Sequence, residues 1–160
     1  MATSTSTLKI NAAFLQDIKD DNVLLNELLD STSKALEKID CGRIQYKALA
    51  NLLGRLRDQL ATHFSLEEFF GYFDDAIDSA PRLSDVAKKL RAQHDVLYLK
   101  ITDLAEDAEL LSFVSTNSSA YAIGSLADRF RTFHRQLQQH EESERELIMS
   151  AFYDDIGCGD

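Results

Sequence analysis

The sequence has few of the residues that interrupt helices: it contains one proline and six glycines among 160 residues. β-branched residues are sparse and never alternate with polar residues over the length of a strand, which excludes a β-sheet protein. The composition that remains is rich in Leu, Ala, Glu, Lys, Arg and Gln, all of which favour helices. These absences predict an all-α fold, and the chain length suits a single domain with a substantial core.

Cysteine and long apolar runs are also scarce. Cys41 and Cys158 stand far apart beside glycines, a pattern typical of neither a redox pair nor a thiolate zinc site, so we expect free thiols. No apolar run approaches the length of a membrane span. The first residues, Met-Ala-Thr-Ser-Thr-Ser-Thr, lack the basic and apolar parts of a signal peptide. We therefore expect a cytoplasmic protein without a membrane partner.

Positive charge is in short supply relative to negative charge. The chain has 17 Lys and Arg against 27 Asp and Glu, a net charge of −10, and no run of basic residues. The average field of such a chain repels nucleic acid and anionic membrane surfaces. The sequence therefore predicts no nucleic-acid partner.

Apolar residues recur at helical spacing along four segments. The predicted helices run from an N-cap at Asn11 to Gly42, over 43–78, from Pro81 to the Ser112–Ser119 loop, and over 120–153. Residues 1–10 are expected to form a frayed tail, and 11–160 a single domain. Four long helices with short connections predict an antiparallel up-down-up-down four-helix bundle.

The apolar stripes of two helices are broken by a histidine and a glutamate. In the last helix His140 and Glu144 replace two rungs of the apolar repeat, and in the second helix His63 and Glu67 do the same. Residues four apart share one face of a helix, so both pairs should point into the core. The two helices share a weak repeat, Gln-Leu-x-x-His-x3-Glu.

The stripes of the other two helices are broken by single polar residues, Asn22 in the first and His94 in the third. At about 1.5 Å per residue, all four interruptions lie some 15–22 Å from the same end of the bundle. Buried carboxylates and imidazoles that stay unpaired cost several kcal/mol per group, a penalty that metal coordination removes. Imidazole and carboxylate donors suit iron, manganese or zinc, whereas the lack of cysteine disfavours a thiolate site.

Each of these residues could instead have a purely structural role without metal, and how strongly this alternative is favoured differs between them. A lone core histidine such as His94 is more often hydrogen-bonded than metal-bound, but two His-x3-Glu pairs in register favour metal. His134 falls off the stripe and is expected at the surface or its boundary. Glu68, Glu141 and Glu142 flank the pairs, and we expect them on a solvated helix face.

At these motifs the chain resembles the hemerythrin-like, or HHE cation-binding, domain family over about residues 14–160. The resemblance is carried by His63-Phe64-Ser65-Leu66-Glu67-Glu68, Leu90-Arg91-Ala92-Gln93-His94 and His140-Glu141-Glu142-Ser143-Glu144. It implies a four-helix bundle with a non-haem di-iron centre. Members of this family bind or sense oxygen, handle iron, or react with nitric oxide or peroxide.

The resemblance also implies roles for individual residues. Glu67 and Glu144 would bridge two irons, His94 and His140 would hold one of them, and His63 the other. Each of these residues lies at a position that matches the family motif.

Two positions depart from the family pattern. Asn22 stands where the family usually has a histidine, and its neutral carbonyl is a weaker donor, so one iron site is expected to be under-coordinated or partly occupied. Tyr98 stands where some members have a second histidine in the third helix. We expect it to hydrogen-bond a ligand rather than to bind iron as a phenolate.

The sequence therefore predicts a cytoplasmic non-haem di-iron protein that binds or senses oxygen or another small diatomic ligand, or handles iron. Manganese or zinc are alternatives to iron. One functional alternative is an oxidase- or peroxidase-type enzyme in which an under-coordinated iron lies near Tyr98. The other is a degenerate, metal-poor bundle that serves as a regulatory or interaction module.

Overall fold

A computed structural model describes residues 4–38, 46–69, 74, 77–78, 80–113 and 119–157, with side chains described between 20 and 151 of these. It contains four long helices and one short 3-10 helix, Pro81–Leu83. The long helices are α1, Ser4–Glu37; α2, Tyr46–Phe69; α3, Ser84–Phe113; and α4, Ser119–Gly157. No strand occurs in these ranges, so the all-α prediction is confirmed.

The helices form the predicted four-helix bundle. Each helix packs against the next one along the chain, and α1 also contacts α4, which closes the bundle. The side-chain pairs between α3 and α4 are Gln93 with His140, Lys100 with Gln136, and Asp107 with Arg129. Because residue numbers rise along α3 while those of the partners fall along α4, these two helices are antiparallel, as predicted.

Several helix ends differ from the predicted ones. Helix α1 begins at Ser4 rather than Asn11, because no proline or glycine separates the two and the helix can extend. The proposed boundary between a tail and a domain at residue 10 stays a prediction. Helix α4 extends to Gly157, beyond the predicted end at 153. The predicted core residue Phe70, both cysteines and residues 114–118 of the predicted loop lie outside the described residues.

Pro81 opens a 3-10 turn rather than the α-helix itself. The Leu83 N–H donates to the Ala80 carbonyl over 2.9 Å, and α3 begins at the next residue, Ser84. Proline fits this first turn because its missing N–H would have no partner there. The position of the start is therefore close to the prediction, and only the type of the first turn differs.

The core consists of two apolar clusters. The large cluster takes residues from all four helices, including Leu25, Leu53, Leu60, Leu97, Ile101, Phe130, Phe133 and Leu137. The small cluster lies around the start of α3 and the last turns of α4, and its buried members are Ala80, Leu83, Ala87, Leu90, Leu147 and Ala151. Both clusters are buried, and the polar rungs of α3 and α4 fall in sequence between their members. The polar layer thus lies between two apolar layers.

The outward-facing residues of the helices are exposed and mostly polar, with some exposed apolar side chains such as Leu99, Leu110 and Tyr121. Within the described ranges, no helix combines enough length with enough apolar character to cross a bilayer.

Candidate metal centre

The polar layer is built from all four helices. Its buried side chains are Asp21 of α1, His63 and Glu67 of α2, His94 of α3, and His140 and Glu144 of α4. The structure therefore brings together all five of the residues predicted as ligands; we call His63, Glu67, His94, His140 and Glu144 the histidine–glutamate cluster. Their side chains replace apolar rungs on faces that point inward, which is why they meet.

The two glutamates lie between the imidazoles. Glu67 Oε1 lies 3.0 Å from His63 Nε2, and the other oxygen of the same carboxylate, Oε2, lies 3.3 Å from His94 Nε2. Glu144 Oε1 lies 3.1 Å from His94 Nε2 and 2.8 Å from His140 Nε2. All three histidines thus direct Nε2 at the two carboxylates. Glu67 faces a different histidine with each oxygen, which is the placement required of a bridging carboxylate.

The other ring nitrogen of every cluster histidine contacts an oxygen acceptor. The Nδ1 partners are Asp21 for His63 at 2.5 Å, Glu68 for His94 at 3.0 Å, and Gln93 for His140 at 2.8 Å. A histidine that donates through Nδ1–H to an oxygen keeps the lone pair of Nε2 free to face a metal ion. The three outer acceptors thereby fix both the tautomer and the orientation of the rings.

Asp21 is the α1 residue that the sequence interpretation missed. It is buried, it contacts His63, and its other oxygen accepts a hydrogen bond of 2.6 Å from Gln59 Nε2. The buried face of α1 runs Asp21, Leu25, Leu29, Thr32 and Leu36, so the ladder continues to Asp21 by a step of four residues. The sequence interpretation took a step of three residues back from Leu25, which gives Asn22 as the inward-facing residue. Extending the alternating three- and four-residue spacing would have found either residue.

Asn22 is half-buried at the edge of the layer. It lines a cavity of about 280 Å³ together with His63, Glu67, Glu141 and Glu144. Asn22 therefore faces the centre, but from across a cavity rather than from within the cluster.

Tyr98 lies outside the cluster. Its side chain is 38% exposed, and the buried rung of that turn is Leu97 instead. Although Tyr98 follows His94 by one helical turn, its position beside Leu97 points it toward the surface. The structure thus offers no contact between the phenol and the predicted ligands.

The flanking residues divide into two groups. His134 is half-buried against the Phe130 ring, where burial lowers its pKa, and this confirms the boundary position predicted for it. Glu142 is exposed, also as predicted. The expectation of a purely solvated face was wrong for Glu141, which is half-buried, and incomplete for Glu68, which is exposed yet contacts His94. Both residues directly follow a buried, inward-facing residue of their helix, so a small rotation of the helix decides how exposed they are.

Phe64 covers the cluster on the side of the large apolar cluster. Its ring is stacked on His94, with centroids 4.0 Å apart and planes inclined by 9°. The His140 ring meets Phe64 edge-on at 5.7 Å. A flat apolar surface in this position restrains both imidazoles and keeps water away from them.

The electrostatics of the metal-free cluster favour charged histidines. Burial opposes the charge on His63, but the close contacts with the carboxylates of Asp21 and Glu67 outweigh it and raise the pKa of His63 to about 10. In the same way, contacts with Glu144 and Glu67 outweigh burial and raise the pKa of His94 to about 9. Burial would raise the pKa of Glu67, yet His63 and His94 hold it at about 2. Protonated His63 and His94 thus balance the charge of the carboxylates when no metal ion is bound.

The donor set fits a metal ion better than it fits a network of hydrogen bonds. Three buried atoms, His63 Nε2, Glu67 Oε2 and His140 Nε2, have no hydrogen-bond partner among the described residues, although carboxylates or imidazoles lie within ion-pair distance. One ligand atom from each of Glu67, His94, His140 and Glu144 lies within 4.8 Å of the others. Two imidazoles and two carboxylates that converge in this way are suitable ligands for iron, manganese or zinc.

Comparison with known proteins gives one match. Residues 13–152 match the family model described as Hemerythrin HHE cation binding domain. The match spans every member of the histidine–glutamate cluster and their Nδ1 partners. Searches of curated proteins and of solved structures found no match.

Proposed function

Because the chain belongs to the hemerythrin HHE cation-binding domain family, we propose that it holds two non-haem iron ions in the histidine–glutamate cluster and binds or senses a small ligand such as oxygen. The observation that carries the proposal is the direction of three imidazoles. Their Nε2 atoms, supplied by three helices, converge on two buried carboxylates. Burying imidazoles and carboxylates together in a core without metal would cost free energy, so their concentration in one layer supports a metal site.

The contacts support two ion positions. The first ion position is defined by His94, His140, Glu67 and Glu144, whose ligand atoms lie within 4.8 Å of one another. His63, whose Nε2 approaches Glu67 Oε1, would hold the second ion together with Glu67. Glu67 would bridge the two positions because each of its oxygens faces one of them.

The charge of the surroundings supports a pair of cations. Carboxylates in the cluster and its immediate shell are Asp21, Glu67, Glu68, Glu141 and Glu144. The three histidines are neutral when they ligate a metal through Nε2, so they would no longer balance this charge. Divalent or trivalent ions would do so, and they are the largest local charges in such a site.

The protein's own residues would perform three tasks around the ions. Asp21, Glu68 and Gln93 orient the imidazoles, and the two apolar clusters with Phe64 restrict water to the open side of the site. Iron bound there would supply reversible one-electron chemistry and an open coordination position for a diatomic ligand. The cavity beside Asn22 and His63 gives a small molecule a way to reach that position.

Neither alternative function has an observation of its own. The oxidase- or peroxidase-type enzyme was suggested by a tyrosine near the metal, and Tyr98 is partly exposed outside the cluster. The degenerate bundle was suggested by Asn22, yet the Nδ1 of each cluster histidine still has an acceptor and both carboxylates remain buried. Retained second-layer contacts of this kind support a site that still binds metal.

The test is a measurement of metal content and spectrum. Protein purified from cells grown with added iron should carry close to two irons per chain, and a visible band should appear when oxygen is admitted to the reduced protein and disappear when it is removed. His134→Ala serves as a histidine-removal control outside the cluster. Protein without metal above background would sink the proposal, and an irreversible spectral change with turnover of peroxide would favour the enzyme instead.

A further inference from the structure

The proposed second ion position has one histidine, His63. The carboxylate of Glu141 lies beside it and is not among the ligands that the family resemblance implies. The cavity of about 280 Å³ beside it is lined by residues of three helices, among them Asn22 of α1, His63 and Glu67 of α2, and Glu141 and Glu144 of α4. His63 is 2% exposed, and its Nε2 has no hydrogen-bond partner among the described residues. A buried imidazole thus lines a cavity whose other walls are carboxylates and side-chain amides, apart from the exposed guanidinium of Arg145.

Glu141 is placed in this cavity by its position on α4. It follows His140 directly and precedes Glu144 by three residues, so Glu141 and Glu144 lie on neighbouring strips of one helix face. The side chain is half-buried, and it makes no hydrogen bond or ion pair with any described residue. The carboxylate is therefore placed to bind a cation in this cavity, which the guanidinium of Arg145 also lines.

We infer that Glu141 is a ligand of the second ion, in the coordination position that Asn22 leaves unfilled, so that His63, Glu67 and Glu141 hold this ion together. The inference rests on the proposed function, since it assigns a residue to one of the two ions. Its chemical consequence is an asymmetric centre. The first ion position has two imidazoles, whereas the second has one imidazole and an excess of carboxylate oxygen, which suits a harder cation such as manganese(II) or iron(III).

The variant Glu141→Gln tests this directly, with Glu142→Gln as a matched control. Both changes remove one carboxylate charge from adjacent residues of the same helix, but Glu142 is exposed. Full-length protein would be loaded anaerobically with iron(II), or separately with manganese(II), then desalted, and its bound metal counted. We expect about two ions in the wild type and in Glu142→Gln, and about one in Glu141→Gln.

Thermal melting separates loss of a ligand from loss of the fold. Burial, together with repulsion from Glu144 and Glu67, disfavours the charged form of Glu141 by more than the histidines favour it, so metal-free Glu141→Gln should melt at the same temperature as the metal-free wild type or higher. The increase in melting temperature on adding metal should be smaller than in the wild type, because one ion fewer binds the folded state. Opposite signs with and without metal are not expected of a merely structural residue.

The outcomes distinguish this inference from the proposed function. Two ions in Glu141→Gln would overturn the assignment of Glu141 while the proposed di-iron site stands. One ion in the wild type and one in the variant would also overturn it, because the second position would then be empty in both. Absence of metal from the wild type would overturn both proposals.

A rescue experiment tests whether Asn22 and Glu141 address the same coordination position. Adding Asn22→His to Glu141→Gln supplies an imidazole from α1 across the same cavity. We expect the double variant to regain the second ion. A double variant that still holds one ion would contradict the assignment of both residues to one position.

Discussion

The two ends of the buried polar layer offer a metal ion different surroundings. Between α3 and α4, His94 and His140 both reach Glu144, and the rings lie 4.9 Å apart in an edge-on arrangement. Between α1 and α2, His63 is the only imidazole among the described residues, and its outer partner is the buried carboxylate of Asp21. The same bundle can therefore retain a nitrogen-rich position while the neighbouring position changes toward oxygen.

If the cluster holds two ions as proposed, the bundle would keep the first position although α1 supplies no histidine to the second. Each helix contributes to the layer from a separate rung, so a change in α1 leaves the contacts of α3 and α4 intact. The neighbouring cavity then becomes available to a side chain from α4. The following variants and changes of pH test whether the two positions differ in this way.

The largest effect is expected from removing the residue shared by both positions. Glu67→Ala deletes the carboxylate that contacts His63 and His94, so it should abolish binding of both ions. Breaking a buried charge pair costs about 3–5 kcal/mol, and urea unfolding of the metal-free protein should show a loss of this size. The exposed residue Glu106 provides the control Glu106→Ala. Retention of either ion in Glu67→Ala would contradict a bridging role.

Histidine variants should separate the two positions. His140→Ala should remove the first ion, and His63→Ala the second, leaving about one ion per chain in each case. The coordination sets differ, so the absorption spectra of the two single-metal proteins should differ as well. Metal analysis combined with spectroscopy would decide this. Identical spectra, or loss of both ions from each variant, would show that the positions are not independent.

Smaller effects are expected from the outer partners of the rings. Asp21→Asn should weaken the second ion and Gln93→Leu the first, each by about 10–100-fold, because each partner orients one imidazole. Competition with a chelator of known affinity would measure both constants. If each variant weakened both ions equally, the outer contacts would be stabilising the bundle as a whole rather than one position.

The smallest effect is expected from pH. A change of one pH unit should alter the free energy of unfolding of the metal-free protein by less than the changes above. The pKa values of His63 and His94 rise from 6.5 to about 10 and about 9, so their stabilisation is complete below pH 6.5 and is lost as the pH rises through 9–10. The pKa of Glu67 falls from 4.5 to about 2, so its contribution is complete above pH 4.5 and is lost as the pH falls through 2. These groups therefore favour the folded state most between pH 4.5 and 6.5.

Urea midpoints from pH 6 to pH 9 would measure the alkaline limb. The slope cannot exceed about 1.4 kcal/mol per pH unit for each histidine. The charged groups that face the two rings are Asp21, Glu67, Glu68 and Glu144. His63→Ala should flatten the profile, and bound metal should reverse its direction because protons compete for the ligating nitrogens. A metal-free wild type whose stability is constant over this range would contradict the assigned charges.

The sequence by itself determined the helical bundle and the composition of the buried cluster. Helical periodicity fixes which side chains of one helix share a face, so His63 with Glu67, and His140 with Glu144, could be recognised as inward-facing pairs without any knowledge of their neighbours. The same periodicity placed His94 in the layer and His134 at the boundary between core and surface.

Only the tertiary structure decided the surroundings of that cluster. Glu68, Gln93 and Glu141 each lie one residue away from a ladder position, and Asp21 and Asn22 are neighbours that compete for one rung of α1. For such residues a few degrees of helix rotation and the distance to the adjacent helix determine whether the side chain reaches the layer. Periodicity within one helix carries no information on either quantity. The buried histidines and glutamates of the cluster were therefore predictable, whereas their outer partners depended on how the four helices pack.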